Sequence, residues 1–243
     1  MSLQPARRLW AWDISARVYE WAYIQVAHQT DVDLLAYLDQ RVVGATVADC
    51  GCGPGVVSEK FLRAGAATVV AIDSNAGMIE KARERLASLQ SGQCGEPGAE
   101  VIMRHGSHEG DALHQLAQEV LGGGQFDIVL FKRSLYMPRP RAVLTLRQAA
   151  AVLRPQGVIV VVHPERTLHR YAFAPPFGMT RYTLFHLFNR AISRVAERCG
   201  AEEYTLYSRS ELLALLREAD PGAVVEAIPS RQWPYNLAVL TVP

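Results

Sequence analysis

Between Val42 and Val162 short apolar runs alternate with stretches of helical periodicity, and this alternation constrains the fold more than any other feature of the chain. Strands are expected at Val42–Ala48, Thr68–Ile72, Val101–Met103, Phe126–Phe131 and Val158–Val162. Helices are expected between them, at Val56–Ala64, Ala76–Leu89, Ala112–Leu121 and Arg141–Leu153. Apolar residues there recur every three or four positions, as Met78, Ile79, Ala82, Leu86 and Leu89 do. Such a series builds parallel βαβ units and a doubly wound sheet. Val158–Val162 is almost wholly β-branched, which suits a strand covered on both faces. Farther on, Ser208 and Glu211 have the spacing of a capping box for a helix through Ala219. Val224–Ile228 and Leu237–Val242 read as two more strands.

Two segments stand outside the alternation. Asp13–Gln40 is largely helical, and Pro164–Tyr207 carries an apolar stripe of Leu184, Phe185, Phe188, Ile192, Val195 and Cys199. The 243 residues therefore read as one α/β domain with an N-terminal helical cap (1–41) and a helical lid insert (164–207). Composition narrows the company such a domain keeps. With 25 basic and 24 acidic residues the formal charge is +1, too balanced for a chain that binds phosphate backbones nonspecifically. No apolar run approaches the roughly 20 residues that span a bilayer, and Asp13 interrupts the only N-terminal run before it resembles a signal peptide. Four cysteines in a chain this long do not make a disulfide scaffold, and Cys50 and Cys52 stand too close for a zinc knuckle. A cytoplasmic protein, monomeric or homodimeric, without metal, membrane or nucleic acid, is expected.

The chemistry begins at Asp49-Cys50-Gly51-Cys52-Gly53-Pro54-Gly55, which follows a strand and opens a helix. Glycines in that setting let a ligand approach bare backbone. The spacing is G-x-G-x-G, with Val56 where a dinucleotide fingerprint requires its third glycine, so a nicotinamide or flavin site is disfavoured. Eighteen residues past Gly55, Asp73 ends the second apolar run. A carboxylate there can accept two hydrogen bonds from a ribose diol, or cap the helix that follows. No G-x-S-x-G elbow and no G-x-x-x-x-G-K-[ST] loop occurs, which sets aside serine hydrolases and P-loop NTPases.

Taken in order, these pieces resemble the class I S-adenosylmethionine-dependent methyltransferases over about Ala45–Val162. Val47–Gly55 is similar to the family's first motif, whose backbone holds the methionine end of S-adenosylmethionine, with Asp49, Gly51, Cys52, Gly53 and Gly55 as its members here. Asp73, with Ser74 beside it, resembles the ribose-binding acid, and Met78 the apolar neighbour of the adenine. Phe126-Asp127-Ile128-Val129 is similar to the fourth-strand signature, whose end brings Phe131 and Lys132 to the cofactor. Leu153-Arg154-Pro155-Gln156-Gly157 resembles the turn before the fifth strand, with Gln156 in place of a glycine. The resemblance implies seven strands, the last antiparallel. It also implies a polar group near the adenine after the third strand, a place that Ser107 or Asp111 can fill; Ser107 is the nearer to the strand. Tyr19, from the N-terminal segment, completes the expected cofactor-binding set.

The acceptor pocket is expected beyond the fourth and fifth strands, at their carboxyl ends. Arg133, Tyr136, His163, Glu165, His169, Tyr171 and Tyr182 fall there, with Tyr19 and Trp21 from the N-terminal segment. His163 is the expected general base, or else a histidine bonded in place at a strand end. Tyr171, Tyr182 and Tyr136 complete the catalytic candidates, the first two as rings facing a sulfonium. Pro164 argues against a metal on His163, Glu165 and His169. The reading is methyl transfer to a small molecule of specialised metabolism. Two alternatives remain: cyclisation of the cofactor's own chain with release of methylthioadenosine, as in azetidine-forming members of the superfamily, and a non-catalytic cofactor- or RNA-binding module.

Overall fold

The computed structural model describes residues 28–90, 99–109, 111–164, 205–229 and 235–243. Tyr19, Trp21, Glu165, His169, Tyr171, Tyr182 and the stripe from Leu184 to Cys199 lie outside the described residues.

The described chain runs α1 (His28–Leu38), a 3₁₀ turn (Asp39–Val42), β1 (Thr46–Cys50), α2 (Val56–Arg63), β2 (Thr68–Asp73), α3 (Ala76–Gln90) and β3 (Glu100–His105). It continues with α4 (Ala112–Leu121), β4 (Phe126–Lys132), α5 (Arg139–Ala151), β5 (Leu153–Pro164), α6 (Arg209–Ala219), β6 (Val224–Ile228) and β7 (Tyr235–Thr241). The strands form one seven-stranded sheet in the order β3-β2-β1-β4-β5-β7-β6. The first five pair in parallel, and β7 runs antiparallel between β5 and β6. This is the doubly wound sheet with an antiparallel last strand that the sequence predicts.

Successive strand residues point to opposite faces, and the core divides accordingly. Ala48, Val70, Val129 and Ile159 pack with α4, α5 and α6, through residues such as Leu113, Leu146 and Leu216. Val47, Val69, Ile128 and Val160 pack with α1, α2 and α3, through Leu34, Phe61 and Leu86. Phe61, Phe126 and Phe131 are wholly buried, each worth roughly 1.5–3 kcal/mol relative to exposure. Among the described residues no helix is long and apolar enough to cross a membrane.

Three of the boundaries that differ from expectation have a local physical cause. β1 begins at Thr46, because the 3₁₀ turn through Val42 buries that valine without strand pairing. α5 starts two residues earlier, at Arg139: Pro138 is its N-cap, and Pro140 sits in the first turn, where a missing N–H costs nothing. β5 starts at Leu153 opposite Phe126, then jumps register so that Ile128 faces Val158. Gln156 lies in that excursion with φ at +65°, the left-handed region a glycine would enter freely.

Candidate functional site

The strand order reverses between β1 and β4, so the carboxyl ends of these strands open a crevice at the switch point. The glycine turn lies there, after β1. Gly51 and Gly53 both have positive φ, at +76° and +55°, but for different reasons. A Cβ on Gly51 would stand 2.4 Å from Ser134 Cβ, in the loop after β4. A Cβ on Gly53 would meet nothing within 4 Å. Close packing demands the first glycine; only the backbone conformation, and whatever enters the open space, demands the second. The peptide N–H groups of Gly51 and Cys52 both donate to the Ile72 carbonyl, at 2.8 and 2.9 Å, which ties the turn to β2.

Asp73 ends β2 beside this turn. Its Oδ2 accepts the Gly53 N–H and its Oδ1 the Asn75 N–H, both at 2.8 Å. The cap of α3 is a different residue: Asn75 Oδ1 accepts the Met78 N–H at 2.9 Å. Asp73 is therefore clamped in place with its remaining lone pairs available, while burial raises its pKa against the hydrogen bonds that lower it. Ser74 is exposed next to it, its carbonyl accepting from His105 Nε2.

Asp49 is placed differently. It is buried, and its Oδ2 accepts the Ser58 hydroxyl at 2.6 Å. A backbone bond from Ser58 joins it, so Asp49 caps the amino end of α2 from the preceding strand. Burial nonetheless lifts its carboxyl to about 6, with the Asp73 charge adding to the rise. Cys52, Gly55, Met78 and Phe131 are buried as well, and burial pushes the Cys52 thiol up. Lys132 closes an ion-pair group: Asp31, from α1, pairs with Lys132 and with Lys60 of α2. That group joins three elements, and burial pulls the Lys132 ammonium's pKa down.

Of the two candidates after β3, Ser107 is exposed and its Oγ accepts the Glu109 N–H at 3.0 Å. Asp111 precedes α4 without a side-chain capping bond. Between them stands a residue the sequence reading passed over. His108 is buried, its Nε2 3.3 Å from the Ser134 carbonyl and its ring edge-on to Phe131 at 5.7 Å. Burial lowers its pKa, and Nδ1 has no partner among the described residues. Nothing in the sequence pattern separated it from its neighbours.

His163, near the end of β5, has no exposed surface. Its Nε2 accepts the Tyr207 N–H at 3.0 Å, and the rings of Tyr136 and Tyr207 lie 5.2 and 5.5 Å away. Burial takes its pKa down to about 3. Asp127 sits at the opposite, amino end of β4, accepting from the Thr46 N–H and from Arg154. Among the described residues no group of three or more His, Cys, Asp or Glu side chains is placed to hold a metal ion.

A doubly wound sheet with a glycine turn and a clamped acid at its switch point defines a nucleoside-binding α/β domain. Residues 47–157 match the family model described as a methyltransferase domain. A ubiquinone biosynthesis O-methyltransferase of Xanthomonas axonopodis pv. citri (strain 306) is 35% identical over 143 residues, 58% of this chain and 52% of that protein. Its counterpart in Actinobacillus pleuropneumoniae serotype 5b (strain L20) is 30% identical over 141 residues, 56% and 54% of the two chains. The chain thus spans about half the length of the curated relatives it matches. Among solved structures, the magnesium protoporphyrin IX methyltransferase of Synechocystis PCC 6803 with bound S-adenosylhomocysteine superposes with a TM-score of 0.58 at 17% identity, over 89% of this chain and 83% of that one. The pyocyanin biosynthetic protein PhzM gives 0.56 at 19% identity, over 87% and 54%. Over residues 47–157 the chain is thus similar to methyltransferase domains of the S-adenosylmethionine-dependent class.

Proposed function

We propose that this chain is a methyltransferase that uses S-adenosylmethionine to methylate a small-molecule acceptor in a biosynthetic pathway. The observation that carries the reading is the pairing of Gly53 with Asp73: a left-handed glycine facing open space, and a clamped carboxylate bonded to its N–H. These residues fit the cofactor: Asp73 would accept the ribose hydroxyls, and the turn from Gly51 to Gly55 would hold the methionine end. Ser74 and Ser107, both exposed, remain candidates for the same cofactor, whereas Asp49, Phe131 and Lys132 are buried. When bound, the cofactor supplies an electrophilic methyl group on a sulfonium.

The described residues contribute position, which supplies much of the acceleration of an in-line displacement. With its Nε2 lone pair occupied, His163 has none on that nitrogen for an acceptor, so the reading calls for no base from it. Tyr136 remains a candidate wall, and Tyr19, Tyr171 and Tyr182 remain candidates outside the described residues. The relatives named as O-methyltransferases favour oxygen as the atom methylated.

Isothermal titration tests the reading directly. S-adenosylhomocysteine is expected to bind the wild-type chain, and Asp73→Ala to weaken it by at least about tenfold. No binding to the wild type overturns the proposal. Incubation with S-adenosylmethionine alone is expected to leave it intact; methylthioadenosine formed without an acceptor establishes cyclisation instead.

A further inference from the structure

β5 ends at Pro164, the chain is described again from Thr205, and the described residues on either side are in contact. His163 Nε2 accepts the Tyr207 N–H at 3.0 Å. The Tyr207 hydroxyl in turn donates to the Met137 carbonyl at 2.6 Å. Met137 closes the loop between β4 and α5, and that loop carries Ser134, the residue packed against Gly51. His163, Tyr207 and Met137 are all buried. A continuous path therefore runs from the end of β5, through one tyrosine, to the back of the glycine turn.

We propose that His163 is a positioning residue: a neutral acceptor that holds Tyr207, and through it the loop after β4, against the cofactor turn. Because Nε2 accepts an N–H, the ring's proton sits on Nδ1, and no lone pair on Nε2 is left to take a proton from an acceptor. Tyr136 and Tyr207 flank the ring with aromatic surface, and burial keeps it uncharged. Asn236 of β7, its partner across the sheet, is also uncharged. In this respect the site differs from the general-base arrangement that the residue's place in the sequence suggests. The inference concerns the same site as the proposed function and rests on that reading only for what the turn binds.

Three variants separate positioning from base catalysis without an identified acceptor, through their affinity for S-adenosylhomocysteine. His163→Gln keeps an acceptor oxygen near the place of Nε2, His163→Phe keeps only bulk, and Tyr207→Phe removes only the hydroxyl. Positioning predicts that His163→Phe and Tyr207→Phe weaken product binding by about tenfold, the worth of one hydrogen bond, and that His163→Gln restores it to within about threefold. A base acting on the acceptor leaves product affinity unchanged in all three, and that result overturns the proposal. Histidine ¹⁵N spectra of the wild-type chain add a readout independent of any ligand. Of the seven histidines, the signal lost in His163→Gln is expected to stay neutral and Nδ1-protonated from about pH 5 to 8. Titration of that signal near neutrality overturns the proposal even if His163→Phe and Tyr207→Phe misfold. A wild type that binds no product, with a silent His163 signal, overturns the cofactor reading and leaves the clasp standing.

Discussion

Gly51 and Gly53 are two residues apart with the same backbone handedness, yet a methyl group on each should act differently. Gly53→Ala puts its Cβ into open space, so it should fold with a loss of about 1–2 kcal/mol from the left-handed conformation alone. Its affinity for S-adenosylhomocysteine should fall much further than its stability, by more than about tenfold. Gly51→Ala drives its Cβ into Ser134 and should be the less stable of the two. Thermal melts with and without product distinguish the pair; equal losses of stability would remove the argument that Gly53 faces a ligand. At this scale the sequence was only partly legible. Its glycine spacing pointed to the turn, and Asp73 was singled out from position alone. That Asn75 takes the capping role, leaving Asp73 for the turn, depends on side-chain directions that no spacing rule contains.

Between elements, Asp31 joins α1 to α2 and β4 by pairing with Lys60 and Lys132. Lys132 is buried, so removing the carboxylate takes a counter-charge from an ammonium in the interior. Asp31→Leu is expected to destabilise the fold by about 3–5 kcal/mol, read from urea unfolding, whereas Lys60→Met, on the more exposed partner, should cost less. Equal effects would contradict the ranking. Lys132 shows why site contacts are harder to read than strands. Its place at the end of a buried strand pointed to the cofactor, but its partner lies a hundred residues earlier in a helix whose pairing no local pattern reveals. Asp49, in the motif that the resemblance assigns to the cofactor, has its hydroxyl partner at Ser58 near the start of α2. The elements were legible because each declares itself by period. Two of the boundaries that moved, at Val42 and Pro140, moved where burial or a proline imitates another element's signal.

For the whole molecule, two buried groups set opposite dependences on acidity. His163 titrates at about 3 in the folded chain against an ordinary 6.5, so the unfolded chain binds its proton first and stability is lost as pH falls from about 6.5 toward 3. Asp49 titrates at about 6 against 3.8, so the folded chain holds the extra proton and stability is lost as pH rises from about 4 to 6. Between about pH 4 and 6 the two slopes cancel, each being about 1.4 kcal/mol per pH unit. Asp49→Asn should therefore make stability rise more steeply with pH in that window, and His163→Gln should make it rise less steeply or fall. Urea midpoints across the window check both; parallel profiles for wild type and variants would refute them. The sheet order has a consequence in time. β6 precedes β7 in the chain, yet β7 lies between it and β5, so β6 reaches the sheet only through a strand made after it. At roughly 5–20 residues per second of synthesis, the parallel block through β5 can assemble while β6 waits unpaired. A ribosome-bound chain stalled just before residue 235 is extruded should expose residues 224–228 to protease while β1 to β5 resist it, and extending it past residue 241 should protect both.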